Sequence, residues 1–154
     1  MSAIEKKLAG LGLELPTTPI SQGSYVPAIQ SNHLVFVSGQ LPMKAGKLLA
    51  EGRVGQEISL EEAQKAAAQC FLNALAAFKS LGLSLDQISR VIKLNGYVQC
   101  TESFKDQPKV INGASDLAVQ IFGEAGKHAR AAVGAYALPL NAAVEVEVIF
   151  EISV

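Results

Sequence analysis

The chain holds three arginines, Arg53, Arg90 and Arg130, and the third has unusual surroundings. It opens the run Arg130-Ala131-Ala132-Val133-Gly134-Ala135-Tyr136-Ala137, which carries no other charge and is rich in small residues. A guanidinium that begins such a strand can stand at the mouth of a pocket, where its planar fork matches a carboxylate through two parallel hydrogen bonds. It can equally snorkel at a strand end or pair with Glu124 or a strand glutamate. Glu145 follows the uncharged residues 131–144. A carboxylate in that setting can have a raised pKa and hold or activate a water, or it can be one of three glutamates, with Glu147 and Glu151, on a solvated sheet face. Tyr25 and Ser38 can donate hydrogen bonds to a small polar ligand, and Gly39 lets its backbone approach one closely, although a strand tyrosine also serves as a packing residue. His128 lies two residues before Arg130 on the same side of an extended chain, so it either lines the same mouth or sits on the surface.

Other chemistries find no support. Cys70 and Cys100 lie among apolar residues without metal-ligand spacing and read as reduced packing residues. His33 and His128 lack metal-ligand companions, no G-x-S-x-G elbow occurs, and the pair Gly10 and Gly12 follows a polar helix instead of a strand, so it is no phosphate loop. The 13 basic and 14 acidic residues leave a net charge of −1 with no basic cluster, which argues against a nucleic-acid partner. The apolar share is 49% and the charged share only 18% of 154 residues, against an average charged share of roughly 25%. So little charge fits either a membrane protein or a protein that hides part of its exterior in an oligomer. Residues 15–43 carry no formal charge, but Pro16, Pro19, Pro27 and Pro42 and the amides of Gln22, Gln30, Asn32 and Gln40 prevent a spanning helix. No signal-peptide pattern stands at the N-terminus, so the expected location is the cytoplasm.

The elements that must position these residues follow from periodicity. Residues 3–9 predict a short helix ended by Gly10 and Gly12, followed by a Pro-rich arm; together they make residues 1–20 an appendage to a single domain over 21–154. Residues 25–29 and 33–38 predict a hairpin turning at Gln30, Ser31 and Asn32. Ser59 and Glu62 form an S-x-x-E capping box, and Leu60, Ala63, Ala67, Cys70, Phe71, Ala74, Leu75 and Phe78 recur at helical spacing up to the stop at Gly82. A strand over 91–100 follows, then a second long helix with Pro108 in its first turn, then two strands over 130–137 and 143–152 joined through Leu138-Pro139-Leu140-Asn141. Val144, Val146, Val148, Phe150 and Ile152 alternate without a break. Two helices with one apolar stripe each predict an α+β fold in which both pack on one face of a mixed sheet, with the other face left to be covered.

The segments Gly23-Ser24-Tyr25, Val37-Ser38-Gly39-Gln40-Leu41-Pro42, Ala129-Arg130-Ala131-Ala132-Val133, Leu138-Pro139 and Val144-Glu145-Val146-Glu147 occur in the order and spacing of the RidA (YjgF, or L-PSP endoribonuclease) family, which the chain resembles from about Ser21 to Ile152. The resemblance implies a chorismate-mutase-like fold, a homotrimer with ligand clefts between subunits, and hydrolysis of 2-imino acids and their 2-aminoacrylate enamine tautomers to 2-keto acids and ammonia, with no metal or organic cofactor. In that pattern Arg130 binds the substrate carboxylate and Glu145 places the attacking water. Tyr25, Ser38 and Gly39 match substrate-binding positions, and an asparagine of the second helix matches Asn112. The chain departs from the pattern at Ala132, where a cysteine is frequent, at Ser24, where proline is common, and in its longer N-terminal arm. The missing thiol is no obstacle to imine hydrolysis. The alternative reading is a trimer that binds a small carboxylate or keto acid without turnover; ribonuclease activity, suggested by the family's older name, is disfavoured by the neutral charge balance.

A tight hairpin between the last two strands would place Glu145 about four positions from the residue facing Arg130, roughly 13 Å at 3.3 Å per residue. That is too far to share a small substrate. Either the connection is no hairpin, or the two groups meet across a subunit boundary, and the expected site is one to which more than one chain contributes.

Overall fold

The computed structural model describes residues 1–18 and 23–153; residues 19–22, where the expected arm ends and the expected domain begins, lie outside the described residues, as does residue 154. Helix α1 (Ala3–Gly10) precedes the strand pair β1 (Ala28–Ser31) and β2 (Leu34–Gln40). A small ribbon of β3 (Met43–Lys44) and β4 (Lys47–Leu48) leads to helix α2 (Leu60–Lys79). Then come β5 (Ile88–Gln99), α3 (Gln107–Phe122), β6 (Ala129–Ala135) and β7 (Val144–Ile152).

The main sheet has the order β1-β2-β7-β5-β6, antiparallel throughout except for the parallel pair β5 and β6. The last two strands are therefore not a hairpin. β6 lies at the sheet edge and β7 inserts between β2 and β5. The amide of Gln99, at the end of β5, makes this connection: Nε2 donates to Gly52 O at 3.0 Å and Asn141 Oδ1 at 2.7 Å, while Oε1 accepts from Leu138 N at 2.7 Å. Gln99 is buried, so leaving those groups unpaired would cost more than the bonds themselves provide. The chain turns at Leu140 and Asn141, both with positive φ, and returns as β7.

α2 and α3 cover one face of the sheet. The capping box is present: Ser59 Oγ accepts from Glu62 N at 3.1 Å, and the Glu62 carboxylate accepts from Ser59 N at 2.8 Å. α2 buries more than a stripe, because one side meets the sheet and another meets α3. Phe78 packs edge-on against Phe150 of β7 with ring centroids 5.6 Å apart, and Phe71 lies 6.2 Å from the same ring. On the α3 side the helices touch backbone to backbone: a methyl on Gly113 would overlap the carbonyl oxygen of Gln64. The alternating valines of β7, with Phe150 and Ile152, all point into this layer and are buried.

α1 is fastened to the domain. The Asp86 carboxylate accepts from Ala3 N at 2.8 Å and Ile4 N at 2.9 Å, and Leu8 is buried in the core. The opposite sheet face carries Ile29, Phe36, Asn95, Tyr97, Val133, Glu145, Glu147 and Ile149, and no element of the described chain covers it; Ile29, Phe36 and Val133 are exposed. No described helix is long and apolar enough to cross a membrane.

Candidate functional site

Arg130 is the second residue of β6, aligned with Leu94 of β5, whose side chain is buried beneath the helices. Neighbouring residues in register point to the same side of a sheet, so Arg130 faces α3. Its Nη1 donates to Asn112 Oδ1 at 2.7 Å and to Ser115 Oγ at 3.2 Å. Asn112 and Ser115 are three apart on α3 and so share one face of it. Ser115 Oγ also bonds His128 Nε2 at 2.9 Å, and His128 Nδ1 bonds Gly126 O at 2.6 Å. No ion pair among the described residues includes Arg130; Glu124 pairs instead with Lys127 at 2.7 Å. The guanidinium belongs to an exposed residue and its charge has no carboxylate partner among the described residues, which leaves it available to an anion.

Arg53 shows the contrast. Its guanidinium donates to Cys100 O at 3.1 Å and Tyr136 O at 2.6 Å, and it lies 5.2 Å from the centre of the Tyr136 ring. It fastens the loop before α2 to the ends of β5 and β6, beside a hollow of about 700 Å³ that is lined by Arg53 and Cys100 but by none of Tyr25, Ser38, Gly39, Asn112, Arg130 and Glu145. Cys70 is buried and Cys100 half-buried, and both are free thiols.

Glu145 lies on the other face of the sheet. It is opposite Tyr97 of β5, while its neighbours Val144 and Val146 are buried under α2. Half-buried, its carboxyl is pushed above the ordinary value first by desolvation and then by the Glu147 carboxylate two residues on. Glu147 Oε1 accepts from Tyr97 OH at 2.7 Å and from Asn95 Nδ2 at 3.0 Å. The bond to Glu147, reinforced by burial, pushes the Tyr97 phenol up to about 12. Asn95 Oδ1 is buried with no partner.

β2 presents its functional residues through a bulge. Val37 pairs with Val148 and Gln40 with Val146, so Ser38 and Gly39 together oppose Glu147 alone. Gly39 is pressed against Glu145: a Cβ there would overlap Oε1 and stand 3.0 Å from Cδ. Ser38 N donates to Pro27 O at 2.9 Å and its Oγ donates to Val26 O at 2.6 Å, which ties the bulge to the segment bearing Tyr25. Tyr25 is 56% exposed and so free to meet something outside its own chain.

The six residues singled out by sequence thus form two groups. Arg130 and Asn112 meet on the α3 side of the edge strand. Gly39 and Glu145 touch, with Ser38 beside them and Tyr25 tethered nearby. One chain does not unite the groups: β5 separates β6 from β7, and the register puts Arg130 three residues along from the position level with Glu145, giving roughly 14 Å before the opposite directions of the side chains are counted. Sequence reasoning missed Ser115 and the Asn95, Tyr97 and Glu147 cluster. The signals were the i, i+3 spacing of Asn112 and Ser115 and the matching alternation of Asn95 with Tyr97 and Glu145 with Glu147.

The family described as "YjgF/chorismate_mutase-like, putative endoribonuclease" matches residues 5–152. Among known proteins, protein TCP17 of Trypanosoma cruzi is 38% identical over 151 residues, covering 97% of this chain and 94% of its own length. A 2-iminobutanoate/2-iminopropanoate deaminase of Dermatophagoides farinae is 29% identical over 138 residues, 88% of this chain and 91% of that protein. The crystal structure of Atu1372 from Agrobacterium tumefaciens, a protein of unknown function, superposes with a TM-score of 0.90 at 48% identity, covering 97% of this chain and 93% of that one. With its α+β layer and a match over nearly its whole length, the chain belongs to the YjgF/chorismate mutase-like family.

Proposed function

We propose that the protein is a cofactor-independent deaminase that hydrolyses 2-imino acids and 2-aminoacrylate to 2-keto acids and ammonia. It works as a homotrimer in which Arg130 of one subunit and Glu145 of a neighbour face the same cleft. The observation that carries the reading is the division of the site: an unpaired guanidinium and a carboxylate of raised pKa lie on opposite faces of one sheet. A cyclic assembly brings two different faces of the same chain together at every interface. The likeness to a 2-iminobutanoate/2-iminopropanoate deaminase supports the same substrate class.

The chemistry needs little beyond these two groups. Arg130 binds the carboxylate and fixes the substrate in the plane of its fork. A protonated imine carbon is already electrophilic, so placing one water against it supplies most of what is required. As the water oxygen bonds to carbon and the C=N pair moves to nitrogen, Glu145 accepts the water's proton. It then returns a proton to the amino group of the carbinolamine, and as ammonia leaves with the C–N electron pair the hydroxyl gives its proton to the Glu145 carboxylate and the carbonyl forms; Glu145 releases that proton to solvent before the next turnover. A raised pKa brings Glu145 nearer the working pH, where accepting and returning a proton are more evenly matched. Ser38, Gly39 and Tyr25 line the Glu145 side of the cleft. No thiol takes part, consistent with Ala132 at the position where relatives often carry cysteine.

The test couples the protein to a serine/threonine dehydratase in the presence of semicarbazide, which traps free imine. Wild-type protein speeds keto-acid release and lowers trapping, and Arg130→Ala abolishes both effects. If the two proteins behave alike, the deaminase reading is wrong; ligand-dependent stabilisation without acceleration would instead mark a protein that binds a small carboxylate.

A further inference from the structure

We propose that Ser115 and His128 are positioning residues that decide which edge of Arg130 grips the substrate carboxylate; the inference rests on the carboxylate role given to Arg130 above. With the His128 ring neutral, hydrogen-bond valence assigns every proton in the chain of contacts. Gly126 O can only accept, so the neutral His128 ring carries its proton on Nδ1, and Nε2 is left as an acceptor. Ser115 Oγ, 2.9 Å from Nε2, therefore donates its single proton there. Toward Arg130 the hydroxyl can then offer only a lone pair, and Nη1 donates to it at 3.2 Å. The second Nη1 proton goes to Asn112, whose Oδ1 must be the atom at 2.7 Å because a guanidinium has nothing to accept with.

Both protons of Nη1 are thus committed to the protein. The end of the guanidinium, which would use Nη1 and Nη2 together, cannot form a two-fold grip on a carboxylate without giving one of these bonds up. The side edge remains, where Nε–H and one Nη2–H run parallel and match the two carboxylate oxygens. Two of the three anchors are on one face of α3 and the third immediately precedes β6, so the edge is aimed by rigid elements. Without His128 the Ser115 hydroxyl would be free to rotate its proton toward the guanidinium, and the preset orientation would be lost. The sequence places His128 beside Arg130; its reach to Ser115 appears only in the fold.

The test is nitrogen-15 NMR of the full-length protein with steady-state kinetics. In the wild type, His128 shows the Nδ1-protonated tautomer, and the Arg130 Nη signals are resolved because rotation about Nε–Cζ is hindered. Ser115→Ala and His128→Phe collapse those signals into one and raise KM for the imine by about tenfold with kcat little changed. Ser115→Thr and His128→Gln, which retain the hydroxyl and an acceptor, restore both. Added 2-oxobutanoate shifts Arg130 Nε and Nη2 and leaves Nη1 in place. An Nε2-protonated His128, unchanged Arg130 signals and KM in Ser115→Ala, or a ligand shift confined to Nη1 would each overturn the proposal. The tautomer and the Nη signals need no ligand, so they distinguish its failure from a failure of the deaminase reading.

Discussion

Gly39→Ala separates stability from catalysis at the carboxylate. The backbone of Gly39 has no positive φ, so alanine is conformationally acceptable there, and its restricted unfolded chain adds about 0.4–1 kcal/mol of stability. The methyl, however, would overlap Glu145 Oε1 and stand 3.0 Å from Cδ, where ordinary contact begins at 3.4 Å. The group that must move is the far end of a half-buried side chain, which can swing. Displacing it costs a comparable amount, so the net change is within about 1 kcal/mol, or roughly 3 °C in Tm for a chain of this size. For the reaction, the carboxylate oxygen shifts by roughly 1 Å from the position that holds the water, and such a displacement lowers kcat by about a hundredfold. The semicarbazide competition assay reads the rate, and a thermal melt reads the stability. A Gly39→Ala protein with wild-type turnover and an unchanged melt would refute the claim that Glu145 must stand against Gly39 to act. A melt lowered by 10 °C or more would show that the contact is structural.

Other predictions test neighbouring parts of the account. The Glu145 carboxyl is raised, so the rate falls as pH drops through a value above the ordinary carboxylate range, and Glu147→Gln, by removing the second cause of the shift, moves that acidic limb to lower pH. The same shift has a sign for stability: a carboxyl raised in the folded state favours folding when protonated and loses that advantage as pH rises through its folded value. Glu145→Gln therefore raises Tm near pH 7 and leaves it unchanged near pH 3. In spectrophotometric titration of the three tyrosines, one titrates near 12, and that step disappears in Tyr97→Phe. Gly113→Ala forces a methyl to within 2.8 Å of the carbonyl carbon of Gln64; the helices must part, and Tm falls by the equivalent of about 1–3 kcal/mol.

The helical and strand elements were legible because their signals are local. Ser59 with Glu62, the α2 apolar spacing and the unbroken β7 alternation each depend on a few neighbouring residues. The strand order was not legible. The insertion of β7 between β2 and β5 is settled by long-range contacts, among them the three bonds of the Gln99 amide, and nothing in the local pattern around Leu138 distinguishes that path from a hairpin. The arrangement of the candidate site was half legible. Residue types and the family resemblance singled out Arg130 and Glu145, but their opposite faces follow from the parallel register of β6 on β5, which is also non-local. Ser115 was overlooked for a related reason: its i, i+3 spacing from Asn112 puts the two on one helix face, but that spacing has no chemical meaning until Arg130 and His128 are folded against it. The low charge content finds a partial explanation in the uncovered sheet face with Ile29, Phe36 and Val133 exposed.

The central claim is that Arg130 and Glu145 act from different subunits. Arg130→Ala and Glu145→Gln proteins, each inactive alone, are mixed in equal amounts under conditions where subunits exchange, with exchange verified by native mass spectrometry of tagged chains. In a ring where each cleft takes its arginine from one chain and its glutamate from the next, random assembly restores about a quarter of the clefts, and so about a quarter of wild-type activity. Verified exchange with no recovery of activity would contradict the account, because it would place both groups in a site made by one chain.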